Sequence, residues 1–484
     1  MGTDSVLMTG VTGTLGSWMA ASALREGARV CAIARGGRDG SAARRVRSSL
    51  AMFELLPLDA LRVLEGDITS ENPLSDDGSG IPQDINLIVH CAACTEFSDG
   101  AADVSHRTNV EGVARVLEFA ARRRLPVVHV STAYVAGRRA GVVLEGELDV
   151  GQSFNNAYER TKCAGEALVH RWSRETGLPA IILRPSIVVG DFERGRTRRF
   201  NTLYDIMQAL DSLGAAARGE ALRVVGDERV TKNIIPIDFF AAAAWQIIHA
   251  RVPGTYHITH PSPLSMADLR RTFVELFDVR AALVSEAEFA ARRASRAERV
   301  CHRAIRSYRP YVTRPEAEFD RTHTDAILAG TGVIAPALDT AFFRRLLAYA
   351  KGVNWGRDIA VDRTEPVAEY FDSFLAAKLG QHLLPDVRRL SARIAVAFPG
   401  TEAHWSLHVE EGVLRTISDN GMQTDCRYLL DVPTFLEIVG GRLNPQQAFF
   451  SRRVEISGNV ETGLRVAAVL GQLFRKHPFQ RAKG

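Results

Sequence analysis

Tyr158 and Lys162 stand four residues apart in the run Tyr158-Glu159-Arg160-Thr161-Lys162. On a helix that spacing puts both side chains on one face. An isolated phenol titrates near 10 and is a poor acid or base at neutral pH. An ammonium beside it favours the phenolate and lowers that value. Such a pair could exchange a proton with a carbonyl or alcohol oxygen while a hydride moves. The string also arises on helix surfaces with no role, so its surroundings decide. Ser131 and Thr132 supply hydroxyls just past the apolar run Val127 to Val130, and Pro185 and Ser186 follow Ile181-Ile182-Leu183.

A second constellation opens the chain. Thr9-Gly10-Val11-Thr12-Gly13-Thr14-Leu15-Gly16 follows the apolar stretch Val6 to Met8 and leads into helical sequence from about Leu15 to Glu26, ended by Gly27. Glycines at 10, 13 and 16 allow a tight turn, close approach of backbone to a pyrophosphate, and close helix–strand packing. The helix N-terminus adds free N–H groups and a positive dipole end. After the second apolar run, Val30 to Ile33, an acidic residue would bind the ribose hydroxyls of NAD. This chain has Ala34-Arg35-Gly36-Gly37-Arg38 instead. Arg35, with Arg44 as a second contact, would attract a 2′-phosphate, so NADPH (NADP) is the expected cofactor. An exposed arginine with no ligand is the alternative.

The elements that must position these residues alternate. Val6–Met8, Val30–Ile33, Leu61–Leu64, Leu87–Val89, Val127–Val130 and Ile181–Leu183 are short apolar runs, the signature of strands buried on both faces. Helical spacing fills the gaps. In 109–124, Val110, Val113, Leu117 and Ala120 share one face. Strands alternating with helices predict an α/β, Rossmann-type, doubly wound parallel sheet over 1–275. Residues 276–380 turn rich in alanine and arginine and read as a helical extension or linker. Residues 381–480 read as a small α+β domain. Its strands are 403–409, 413–417, 426–430 and 453–456, and its helices Val432 to Val439 and Glu461 to Phe474.

The N-terminal motifs resemble those of the extended short-chain dehydrogenases/reductases: the T-G-x-x-G-x-x-G turn, the Tyr-x-x-x-Lys pair, and Asn109-Val110-Glu111-Gly112 in place of that family's N-V-x-G. The resemblance implies that Thr132, with Ser131 second, binds the substrate oxygen. It implies that Lys162 also holds the nicotinamide ribose. Asp67 and Ile68 would lie near the adenine, Ala92 and Ala93 would let the cofactor pass, Asn109 would organise the site and bind the cofactor, and Pro185 and Ser186 would line the nicotinamide pocket. Ser131 to Val135, Arg184 to Val188 and Asn233-Ile234-Ile235-Pro236-Ile237-Asp238 are most similar to the fatty acyl-CoA reductases and thioester reductases. That branch implies NADPH-dependent reduction of an acyl thioester, on coenzyme A or a carrier protein, or of a related lipid or polyketide carbonyl. A hydroxysteroid-type alcohol/ketone dehydrogenase, and a lipid carrier with a non-catalytic nucleotide-binding half, are the alternatives. Asp431 to Gly441, Asn444-Pro445 and Val454 to Asn459 resemble the sterol carrier protein type-2 domain, which implies an apolar tunnel for acyl chains or sterols. An interaction module that kept the fold and lost the tunnel is the alternative there.

Composition bounds the rest. A net charge of +4 over 484 residues does not argue for nucleic-acid binding. No run approaches the roughly 18 apolar residues of a membrane span. Met1 to Asp4 lacks the basic flank of a signal peptide, so a cytoplasmic chain is expected. Six scattered cysteines read as reduced thiols. Cys91 and Cys94 lack a second pair to complete a zinc site, and His404 and His408 lie roughly 13 Å apart on a strand, so no metal is expected.

Overall fold

The structure, a computed structural model, describes residues 4–36, 41–53, 55–70, 80–97, 100, 102–213, 221–356, 367, 370–382, 390–398, 404–418, 424–451 and 453–479. Arg38 and Arg452 lie outside the described residues. Two compact units divide the chain, the second beginning at Ala360.

The first unit is built, among the described residues, on a seven-stranded parallel sheet. Its strands include β1 (Ser5–Thr9), β2 (Arg29–Ala34), β3 (Leu61–Glu65), β4 (Leu87–His90) and β5 (Val127–Val130). Across the sheet the order is Gly254–Ile258, Ala180–Pro185, β5, β4, β1, β2, β3. The order reverses between β1 and β4, and a crevice opens at the carboxyl ends of strands where it does so. Six strands coincide with the apolar runs. The seventh, Gly254–Ile258, carries the polar Thr255 and His257 into the interior, which hides it from an apolar pattern. His257 is satisfied there: its amide donates to the buried Glu145 carboxylate at 2.8 Å.

Helices cover both faces. On one, Trp18, Met19 and Leu24 pack with Phe240 and Trp245, and the Trp245 indole donates to the Met19 carbonyl at 3.0 Å. On the other, Val113, Leu117 and Phe119 pack with Trp172. The segment read as an extension, 276–380, divides between the units. Its strand Arg280–Val284 pairs with Ala221–Val225, and helix Thr340–Gly352 buries Phe342, Phe343 and Leu346 completely. Up to Gly356 it therefore belongs to the first unit and contributes to its core.

Among the described residues the second unit holds a five-stranded mixed sheet, ordered Val413–Ser418, His404–Glu410, Ala392–Ala397, Cys426–Leu430, Val454–Gly458. Helices Val432–Val439 and Val460–Lys476 start where expected, capped by Asp431 and Asn459 side chains. Phe371 stacks on Trp405 at 4.9 Å, and Tyr370 packs edge-on against Phe435. These rings leave a core cavity of only about 40 Å³. No helix among the described residues is long and apolar enough to cross a membrane.

Candidate active site

The glycine turn forms a cradle that side chains would fill. Gly10 has φ +76°, and a Cβ there would lie 2.5 Å from the Ala92 amide nitrogen. A Cβ on Gly16 would lie 2.2 Å from the Gly10 carbonyl oxygen. Gly13 closes the turn by donating to that same carbonyl at 2.9 Å, and helix Thr14–Arg25 begins after it. The turn walls a groove of about 510 Å³ across the carboxyl ends of the strands. Thr12, Thr14 and Leu15 line it, as do Arg35, Asp67 and Ile68 on one side and Ala92 and Ala93 on the other. Pro185 and Ser186 close its far end. The hydroxyls of Thr14 and Ser186 are buried and have no hydrogen-bond partner among the described residues. A buried hydroxyl without a partner is costly, and a polar ligand in the groove would meet both. These residues fit a nicotinamide dinucleotide.

Two assignments change. Arg45, not Arg44, lines the groove, and its guanidinium donates to the Arg35 carbonyl at 2.7 Å. Neighbours on a helix point in different directions, and the docking of helix Ala42–Leu50, capped by Ser41, turns Arg45 inward. Asn109 is 1% exposed and lies behind the groove. It accepts from the Cys94 amide at 2.9 Å, donates to the Cys94 carbonyl at 2.9 Å, and donates to Thr161 at 3.1 Å. It braces the chain beyond β4 against the helix of Tyr158 instead of touching a cofactor.

That helix, Ala157–Thr176, starts at Asn156, whose side chain accepts from the Glu159 amide. Tyr158, Lys162 and Thr132 all face the groove. The Thr132 hydroxyl accepts from the Tyr134 amide at 3.2 Å and donates to the Pro185 carbonyl at 3.5 Å. Ser131 donates to the buried Glu166 carboxylate at 2.5 Å, so Thr132, whose own bond is long, is the hydroxyl that can turn to a substrate oxygen. Lys162 is 2% exposed and donates to the Val130 carbonyl at 2.7 Å. Burial pulls its ammonium down to about 8, against the pull of Glu166. The expected acidification of Tyr158 does not occur. Burial pushes the phenol up to about 12, outweighing the nearby Thr132 hydroxyl, which favours the phenolate. At neutral pH Tyr158 is therefore a proton donor. Behind Lys162, His90 and His129 stack at 5.4 Å, and burial holds both below the ordinary histidine range.

Residues 8–244 match the male sterility protein family, and residues 371–471 match the SCP-2 sterol transfer family. The chain joins a male sterility protein domain to an SCP-2 sterol transfer domain. The male sterility domain is similar to the carboxylic acid reductase of Segniliparus rugosus, with 28% identity over 49% of this chain and 22% of that one. It is also similar to the probable fatty acyl-CoA reductase 4 of Arabidopsis thaliana, with 26% identity over 53% of this chain and 66% of that one. This chain thus spans 22% and 66% of the lengths of those relatives. In fold it resembles the terminal R domain from the myxalamid PKS-NRPS pathway, with TM-score 0.62 and 22% identity over 73% of this chain and 92% of that one.

The male sterility domain and the chain after it carry a feature that the motifs did not announce. A second cavity, of about 260 Å³, meets the groove at Thr95, Thr132, Tyr158 and Ser186. Away from that junction its wall is mostly apolar, with Leu210, Leu222, Leu269, Phe273, Leu283 and Ile305 among the residues facing it. Tyr308 and Tyr311 roof the junction through Phe97, whose ring lies 5.5 Å from Tyr158 and 6.0 Å from Tyr311. The Tyr311 hydroxyl is tied to Glu159, and that of Tyr308 donates to Asp205 at 2.7 Å. These lining residues come from segments scattered over 203–312. They have no common spacing and look like core residues in sequence.

Proposed function

We propose that the first unit is an NADPH-dependent reductase of acyl thioesters, carried by coenzyme A or a carrier protein. One observation carries this reading: Tyr158 and Thr132 stand where a polar, dinucleotide-shaped groove meets an apolar pocket. A carbonyl held at these hydroxyls has the cofactor channel on one side and space for a hydrocarbon chain on the other. The reductase names of the two relatives support the same class.

The turn Gly10–Gly16 would hold the diphosphate, Arg35 and Arg45 the 2′-phosphate, and Lys162 a ribose hydroxyl. The bound cofactor supplies a hydride to the carbonyl carbon. Thr132 and Tyr158 donate hydrogen bonds to the carbonyl oxygen and stabilise the negative charge that develops on it. Tyr158 then gives up its phenolic proton to that oxygen. Breaking the carbon–sulfur bond releases the thiol and leaves an aldehyde. A donor that stays protonated to about pH 12 suits reduction better than alcohol oxidation, which needs a base.

For the SCP-2 domain, one observation favours the reading as an interaction module over a lipid carrier. The cavity in its aromatic core, about 40 Å³, is a fraction of the roughly 260 Å³ apolar pocket in the first unit.

The purified chain is expected to oxidise NADPH on addition of a long-chain acyl-CoA and to release free thiol with it. Two NADPH per thiol would mean that the aldehyde is carried on to the alcohol. If hydroxysteroids instead reduced NADP while acyl-CoA left NADPH untouched, the dehydrogenase alternative would take its place.

A pH limb follows from Lys162. Its folded value of about 8 means that the ammonium is present below that pH and lost above it. kcat/KM is therefore expected to fall as pH rises through about 8. Lys162→Arg keeps its charge at every accessible pH and should flatten that limb. An unchanged limb in the variant would assign it to another group.

A further inference from the structure

The loop after strand Ile187–Val189 runs back across the mouth of the glycine turn. Arg196 donates to the Met52 carbonyl at 3.2 Å, and Arg198 donates to the Ser48 carbonyl at 2.9 Å. The adjacent Ser49 hydroxyl donates to the Val11 carbonyl, inside the turn itself, at 3.0 Å. On the other flank Arg199 donates to Thr95, beyond β4, at 3.2 Å. The loop is thus tied down on both sides of the turn. Thr197 and Arg199 line the same groove as Gly10, Gly13 and Gly16.

The three arginines differ in what holds them. Arg196 is paired with Asp191 at 2.7 Å, and Arg198 is held by its backbone acceptor. Among the described residues Arg199 makes no ion pair, and its side-chain hydrogen bond goes to a neutral hydroxyl. Arg35 lies past the end of β2 and Arg199 beside the end of β4, with β1 and its turn between them. A dinucleotide with its 2′-phosphate at Arg35 carries its diphosphate over the turn, toward Arg199. We propose that Arg199 clamps the cofactor diphosphate from the side opposite the glycine turn, with Arg196 and Arg198 holding the strap in place. A guanidinium fork suits two phosphate oxygens, and the amides of the turn neutralise the other face. This rests on the dinucleotide reading of the groove.

The test uses the full chain and measures binding rather than turnover. NADPH and NADH are titrated by their fluorescence, and adenosine 2′-monophosphate by calorimetry. Arg199→Gln is expected to raise the Kd of both dinucleotides roughly 10-fold. It should leave adenosine 2′-monophosphate unchanged, because that probe has no diphosphate. Arg35→Gln should weaken NADPH and adenosine 2′-monophosphate but spare NADH. Arg199→Lys keeps the charge without the fork and should fall between wild type and Arg199→Gln. If Arg199→Gln shifts both dinucleotides by less than about twofold, or weakens adenosine 2′-monophosphate as much as NADPH, the clamp is refuted. If wild type binds neither dinucleotide, the reading of the groove falls first.

Discussion

Tyr158→Phe is expected to lower kcat about a thousandfold, within the 10²- to 10⁴-fold span of a lost general acid. The substitution removes one oxygen and keeps the ring, so the packing against Phe97 at 5.5 Å survives. The phenol is no longer available to deliver a proton to the carbonyl oxygen. The Kd for NADPH should stay near wild type, because the turn and the arginines carry cofactor binding. Stopped-flow mixing of variant, NADPH and acyl-CoA separates the two effects. A variant that reduces acyl-CoA at an undiminished rate would falsify the assignment of Tyr158 as the acid. Thr132→Val should give a smaller loss of the same kind, since one hydrogen bond to the oxygen would remain.

Glu166→Ala is expected to cost the first unit about 3–5 kcal/mol of stability, the usual result of breaking a buried ion pair from one side. Glu166 and Arg184 are both 0% exposed and are bonded at 3.0 Å. Glu166 also accepts from Ser131, so the pair fixes the backbone that presents Thr132. Without the carboxylate the Arg184 guanidinium stays buried with only neutral acceptors among the described residues, the Glu145 and Glu147 carbonyls and the His257 Nε2. Denaturant unfolding of the variant measures the loss. Replacing both partners, Glu166→Ala with Arg184→Met, should recover part of it because no charge is stranded. A single variant as stable as wild type would show that the pair contributes nothing. The acid side gives the same information. Burial alone would raise the Glu166 carboxyl, but Arg184, His170 and Ser131 hold it down to about 2. A depressed carboxyl lends its stability above the unfolded value of 4.5 and loses it as pH falls from there toward 2.

What was legible in the sequence was chemistry that needs neighbours along the chain. The glycine turn, the Tyr158–Lys162 spacing and the Ser131-Thr132 pair are local, and each lies on the groove wall. Six strands of the first sheet were equally local, because burial on both faces leaves a run of apolar residues. The misses depend on tertiary contacts. Whether Arg44 or Arg45 faces the groove is set by the docking of one short helix. Asn109 looks like a ligand until the close approach of the two helices is seen: a Cβ on Gly165 would lie 2.1 Å from the Asn109 carbonyl oxygen. The titration of Tyr158 is governed by desolvation, which spacing does not report. The apolar pocket draws on segments more than a hundred residues apart. In the second unit, strand Ala392–Ala397 and helix Pro445–Phe450 went unread. The strand is mostly alanine and valine without clean alternation, and the helix has six residues, too few to show a period.

The aromatic interior of the second unit has a consequence for the rate at which it could exchange cargo. Tyr370, Phe371, Phe435 and Phe474 line a cavity of only about 40 Å³. A sixteen-carbon tail could enter only after several rings had turned out of their stacks. Uptake would then be gated by an opening event inside the protein and would stop accelerating as more amphiphile was supplied.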